Sequence, residues 1–210
     1  PLYYALLHVW TGTMGTSTFA VRALSIIISL AGFPLTWLVA RRAGGTRAAL
    51  WAVAVWAILP YGVRYSTETR MYVLVMVLVL AGWWFLGRLW SEPRWPDAAA
   101  LAVIASVLLW THYWAMWLLA AVGAATVLRR WLNRALPNAN RELLLTGGAL
   151  GLAGLSFLPW VPTLLFQAER TGTPWGAVER PTTAVVITLI DFAGQPSAEM
   201  VARYLRPHLA

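Results

Sequence analysis

Residues 48–87 read AALWAVAVWAILPYGVRYSTETRMYVLVMVLVLAGWWFLG. Two apolar runs, 48–63 and 71–87, flank the polar patch Tyr65-Ser66-Thr67-Glu68-Thr69-Arg70-Met71-Tyr72. Each run is near the roughly 20 residues that carry a helix across a bilayer core. A glutamate and an arginine between two such runs are costly unless paired, hydrated or used. The stretch therefore reads as two membrane helices joined by a short turn that carries ionisable groups.

Composition extends this reading to the whole chain. Of the 210 residues 60% are hydrophobic and 11% charged, with a mean hydropathy of +0.64. A soluble domain carries about 25% charged residues. The predicted fold is all-α, a polytopic integral membrane helical bundle of about six transmembrane helices plus short interfacial helices. Spans are expected over 17–40, 47–63, 71–90, 98–111, 113–128 and 143–166, a transmembrane core over 1–166. Residues 167–210 are expected to form an extracytoplasmic loop with interfacial or re-entrant helices over 183–193 and 198–205. Residues 3–10, ending at Gly12 and Gly15, read as a further interfacial helix. Gly147 and Gly151 make a small-xxx-small pattern that predicts close helix packing inside the chain.

The weakest boundary is at Thr111-His112-Tyr113. One helix over 98–128 would be about 46 Å long, too long for a single untilted span. Charge favours a hairpin there. It puts Arg41, Arg42, Arg47, Arg88, Arg94, Arg129, Arg130, Arg134 and Arg141 on one side, against Arg22, Arg64 and Arg70 on the other. Basic loops face the cytoplasm, so the Glu68–Arg70 patch and His112 face outwards. The expected location is a bacterial cytoplasmic membrane with the functional face extracytoplasmic.

The net charge is +8 and there is no cysteine. The arginines sit at the ends of apolar runs and not in one patch, which argues against nucleic acid as a partner. Fourteen tryptophans suit a protein with many membrane–water boundaries. Thiolate metal sites are excluded, and the three histidines have no metal-binding spacing. No cofactor is indicated, and a divalent metal is left open through Glu68. Phosphate loops, nucleophile elbows and dinucleotide fingerprints are missing from the sequence.

The outer polar residues make up the candidate site. Arg70 and Arg64 suit bidentate recognition of a phosphate. Their bland alternatives are an ion pair of Arg70 with Glu68, and snorkelling to lipid phosphate. Tyr3, Tyr4, Tyr65, Tyr72, His112 and Tyr113 complete the set, with Glu68 able to order a substrate hydroxyl.

A set of motifs then matters together: Pro1-Leu2-Tyr3-Tyr4-Ala5-Leu6-Leu7-His8-Val9-Trp10, Gly15, Arg22, the 65–72 patch, Thr111-His112-Tyr113, Leu158-Pro159-Trp160-Val161-Pro162 and Gln167. In this order and spacing they resemble the polytopic C-type glycosyltransferases of the protein mannosyltransferase and aminoarabinose transferase grouping. The resemblance implies transfer of a sugar from a polyprenyl-phosphate donor to a lipid, glycan or protein hydroxyl, with membrane lipids as surroundings. It also implies an acidic catalytic residue just upstream of the segment beginning at Pro1. No acid precedes Glu68 here, so the chain reads as a piece of a longer protein, inactive alone, with that carboxylate expected before Pro1. A transporter or flippase of lipid-linked sugars, using the same outer groove without chemistry, is the alternative.

Overall fold

The computed structural model describes residues 2–134 and 137–170. The helices expected over 183–193 and 198–205 lie outside the described residues. Helix α1 spans Leu2–Met14, α2 Thr18–Ile58, α3 Pro60–Thr67 and α4 Tyr72–Ser91. Then come α5 Trp95–Thr111, α6 Ala115–Leu132, α7 Ala139–Phe157, a 3-10 turn at Leu158–Trp160 and α8 Val161–Arg170. The described residues contain no strand. The protein is a helical bundle. Thr18–Ile58, Tyr72–Ser91, Ala115–Leu132 and the run Ala139–Gln167 are long and apolar enough to cross a membrane. Large side chains such as Leu30, Trp51, Ile58, Leu144 and Leu152 lie exposed on the helix exteriors. Apolar surface of that kind belongs in lipid.

The spans expected over 17–40 and 47–63 are joined in α2. Helical backbone continues through the arginine-rich stretch expected as a loop and is interrupted only at Gly44 (φ −143°, ψ 15°) and Gly45 (φ 75°, ψ −172°). A positive φ of this size is cheap only for glycine. The chain nevertheless folds back there. Gly32 and Trp56 would lie about 36 Å apart along a straight helix, yet a Cβ on Gly32 would meet the Trp56 ring at 2.5 Å. The second half of α2 stops at Ile58, short of residue 63, because Leu59 precedes Pro60 and takes extended backbone. Pro60 then opens α3.

The hairpin at Thr111-His112-Tyr113 is present. His112 caps α5 with extended backbone (φ −151°, ψ 103°), and α6 starts at Ala115. Asp97 at the start of α5 bonds Arg88 near the end of α4, at 2.7 Å. Arg129 near the end of α6 donates to the carbonyl of Trp90, at 2.9 Å. Both ends of the α5–α6 pair thus reach the same end of α4, as a hairpin requires. Arg129 also pairs with Glu142 in the first turn of α7, so α4, α5, α6 and α7 share one arginine-rich end. The span expected over 143–166 lies within the apolar run Ala139–Gln167, and Pro159 tightens it into a 3-10 turn at Leu158–Trp160.

Helix α5 is the centre of the bundle, packed against α4 and α7. Leu86, Leu89, Ala98, Leu101, Ala102 and Ala149 form one buried cluster. Ala105, Leu109, Ala153 and Phe157 form the next one along. Ala98, Ala102 and Ala105 on α5 meet Ala149 and Ala153 on α7, small residues that let backbones approach. The glycines expected to do this, Gly147 and Gly151, do not: among the described residues a Cβ there would meet nothing within 4 Å. Helix α1 runs through Gly12, ends at Gly15 (φ 83°), and packs on α2 and α5. Trp10 ties it down, its indole N–H donating to the carbonyl of Ala20 at 2.8 Å.

Candidate functional site

The candidate site lies at the end of the bundle opposite the paired arginines, where α3 gives way to α4. Helix α3 ends where Glu68 takes extended backbone, and hydroxyls of its last turn bond back to its own carbonyls. Ser66 Oγ donates to the carbonyl of Gly62 at 2.7 Å, and Thr67 Oγ1 to that of Arg64 at 3.0 Å. Glu68 leaves the helix in extended conformation, and the Arg70 amide donates back to the Glu68 carbonyl at 2.8 Å. This tight reversal brings the two charged side chains side by side.

Beneath the reversal runs a chain of hydroxyls. Ser25 Oγ donates to the Glu68 carbonyl at 2.8 Å, and Tyr3 Oη lies 2.9 Å from Ser25 Oγ. A serine hydroxyl has one proton to give. Since Ser25 gives it to Glu68, Tyr3 is the donor to Ser25. Tyr3 is fully buried, and burial pushes its phenol above the ordinary tyrosine range, keeping that proton in place. Three distant segments, α1, α2 and the α3–α4 turn, are thereby locked together. Tyr3 is a strut under the site, and its neighbour Tyr4, 56% exposed in an edge-on contact at 5.7 Å, is the one that faces out.

Arg70, exposed like Arg64, is the cation of the cluster that has an acid beside it. Its Nε lies 3.4 Å from Glu68 Oε1, with the Arg70 side chain 58% exposed and that of Glu68 27%. That is longer than the 2.7–2.9 Å of a charge-assisted hydrogen bond. Glu68 holds the arginine without enclosing it. A hydrogen bond with Tyr72 is the main cause of its raised pKa, with Glu68 next and Tyr4 a further contributor. The guanidinium therefore sits among a carboxylate and phenols, held charged and open on one side.

Tyr65 builds the adjoining wall. Its ring stands 4.5 Å from Tyr61 and 5.0 Å in an edge-on contact from Tyr72. Burial, with the Tyr61 hydrogen bond second, pushes its phenol up to about 12. Arg64 lies over the Tyr65 ring at 5.9 Å, a cation–π distance. The structure thus gathers Tyr4, Arg64, Tyr65, Glu68, Arg70 and Tyr72 around one turn, on the strut of Tyr3.

His112 and Tyr113 occupy a separate turn at the same end. Their rings are 6.0 Å apart. The His112 carbonyl accepts from the Ala115 amide and the Tyr113 carbonyl from that of Met116. Burial holds the His112 imidazole below its ordinary value, so it is neutral at pH 7. The link to the Arg70 cluster is indirect: α1, which carries Tyr3 and Tyr4, packs against α5, which His112 ends.

Ser25 escapes a reading based on motifs. Its signal is a run of small and polar residues, Ser25, Ser29, Gly32 and Thr36, at helical spacing inside an apolar span, all of them buried. Among the described residues no group of His, Asp and Glu gathers to hold a metal ion. Glu68 is the cluster's carboxylate and is engaged with Arg70.

A family model for dolichyl-phosphate-mannose-protein mannosyltransferases matches residues 1–160. No curated protein and no solved structure gives a match.

Proposed function

The chain belongs to the dolichyl-phosphate-mannose-protein mannosyltransferase family, a family of membrane glycosyltransferases, and from that premise we propose how it acts. It takes part in moving a sugar from a polyprenyl-phosphate carrier to a lipid, glycan or protein hydroxyl on the extracytoplasmic face. The observation that carries this reading is Arg70: a cation held by Glu68 and Tyr72, and open on one side.

In the reaction the bond from the anomeric carbon to the phosphate oxygen breaks as the acceptor oxygen bonds to that carbon from the opposite face. The acceptor proton passes to a carboxylate acting as general base. The phosphate leaves with an added negative charge, and Arg70 neutralises it, seconded by Arg64. Charge stabilisation of this kind in a water-poor site is commonly the largest single contribution to catalysis. Glu68 orients Arg70 and a hydroxyl of the sugar or acceptor, a part that its pairing suits better than taking the proton. Tyr4, Tyr65 and Tyr72 flank the donor, Tyr3 supports the turn from below, and His112 with Tyr113 lines the far side.

The test is a transfer assay on the intact protein in proteoliposomes, with radiolabelled polyprenyl-phosphate sugar. The expected result is label on the acceptor and free polyprenyl phosphate. Carrier that crosses the bilayer with its sugar still attached would replace this reading with a flippase.

A further inference from the structure

At the opposite end of the bundle Arg42 is a cation without an acid. Its Nη2 donates to the carbonyl of Gly87 at 2.7 Å and to Ser91 Oγ. Both partners are neutral, and among the described residues no carboxylate lies within ion-pair distance of it. Three arginines at the same end differ: Arg88 pairs with Asp97, Arg94 with Glu92 and Arg129 with Glu142. The Arg42 guanidinium also lies over the ring of Trp84, at 5.9 Å.

Arg42 stands where two clefts meet. One, of about 310 Å³, is lined by Arg42, Trp83, Trp84, Trp90 and Arg129. The other, of about 240 Å³, is lined by Arg42, Arg88, Ser91, Glu92, Arg94 and Asp97, with Glu92 paired to Arg94 and Asp97 to Arg88, which leaves Arg42 as its cation without an acid. A third, apolar groove shares Trp83 and Leu86 with the first cleft and continues along Leu78, Val79 and Leu118. A cationic pocket thus opens into an aliphatic groove, with tryptophans at the junction. Tryptophans and long arginines take up that position at the boundary between head groups and acyl chains.

We propose that this composite cleft binds an anionic phospholipid of the adjoining leaflet, with its phosphate on Arg42 and the start of an acyl chain in the groove. A guanidinium offers a phosphate two parallel donors. Charge complementarity selects the lipid class. This end carries nine arginines against Glu92, Asp97 and Glu142, a field that attracts a net negative head group and disfavours the ammonium of a zwitterionic one.

The test is native mass spectrometry of the full chain, delipidated in detergent and titrated with phosphatidylglycerol or with phosphatidylcholine of the same acyl chains. Phosphatidylglycerol is expected to bind preferentially. Arg42→Gln is expected to weaken it about tenfold, the loss of one good charged contact, and to leave phosphatidylcholine unchanged. Arg134→Gln, whose guanidinium lies over Trp131 at 5.2 Å, is expected to change binding less than about twofold, as for a solvated surface charge. Equal losses in the two variants would show a diffuse field and overturn the site, as would equal affinities for the two lipids. Competition by glycerol 3-phosphate as strong as that by the lipid would overturn the lipid assignment in favour of a free phosphate. Should Arg42→Gln not fold, Gly87→Leu keeps the charge and fills the cleft, since even a Cβ there lies 3.4 Å from Arg42 Nε. Undiminished phosphatidylglycerol binding by that variant would equally overturn the proposal.

Discussion

Ser25 and Glu68, 43 residues apart in the chain, are joined by a 2.8 Å hydrogen bond from the serine hydroxyl to the glutamate carbonyl. This bond fixes the backbone that presents Arg70, and it makes the Tyr3 phenol a donor to Ser25. The candidate site is therefore held from within the bundle, by residues buried beneath the turn.

The two ends of this hydroxyl chain are unequal, and that can be measured. Ser25→Ala removes both bonds and leaves a buried phenol and a carbonyl unsatisfied, a cost of about 1–3 kcal/mol for each such group. Tyr3→Phe removes one bond and leaves Ser25 still donating to Glu68, a cost nearer 1 kcal/mol. Thermal unfolding in detergent should rank Ser25→Ala clearly below Tyr3→Phe. The reverse ranking would mean that the proton order is wrong.

Glycines in this chain should respond to alanine with opposite signs. At Gly32 the new Cβ would lie 2.5 Å from the Trp56 ring, and overpacking of this sort costs about 1–3 kcal/mol. At Gly147 and Gly151 it would meet nothing within 4 Å, and the helix gains up to about 1 kcal/mol of propensity. Unfolding temperatures should fall for Gly32→Ala and hold or rise for the other two. A loss at Gly151 matching that at Gly32 would place its face in a contact.

His112 should make stability depend on pH. Burial lowers its folded-state pKa below the ordinary 6.5. Between that lowered value and 6.5 the unfolded chain binds more protons than the folded one, so stability rises with pH there. It is fully present above 6.5, falls as the pH drops below 6.5, and levels off below the folded pKa. An unfolding series from neutral to acid pH should show this slope, and His112→Gln should flatten it. An unchanged slope would assign the titration to another group.

Two ion pairs at the arginine-rich end should differ in worth. Asp97 is buried, and Arg88 binds it with Nε at 2.7 Å. Removing one partner of a buried pair costs about 3–5 kcal/mol, and the half-exposed arginine brings Asp97→Asn to about 3 kcal/mol or below. Arg94 and Glu92 are both well exposed, and such pairs contribute about 0–1 kcal/mol. Chemical denaturation of Asp97→Asn and Glu92→Gln should separate them in that order.

Much of this was legible in the sequence because membrane helices announce themselves by length and apolarity, and arginine sidedness orders their ends. The hairpin at His112 followed from length and charge together: one helix over 98–128 was too long for a single span, and only a turn there kept nine arginines on one side. The Glu68–Arg70 pair was legible because charge between apolar runs is rare. Other features depended on backbone detail. Whether Gly44-Gly45 opens a loop or bends a helix is decided by two residues' dihedral angles. Pro60 shortened a span that hydrophobicity alone would have extended, and Pro159 put a 3-10 turn inside another. The glycines of α7 looked like a packing face, but Ala149 and Ala153 took that part, since composition does not say which side of a helix meets a neighbour. Ser25 was hidden because a serine in an apolar run has no partner visible along the chain.

The central claim is that Arg70 neutralises the phosphate of the donor, and the most direct measurement is kcat/KM of the intact protein for a polyprenyl-phosphate sugar. Arg70→Ala should lower it by about 10²–10³-fold, the usual loss when one donor to a developing negative charge is removed. Arg70→Lys should recover part of that, and Arg64→Ala should cost less than Arg70→Ala. A kcat/KM for Arg70→Ala equal to that of the unaltered protein would contradict the account.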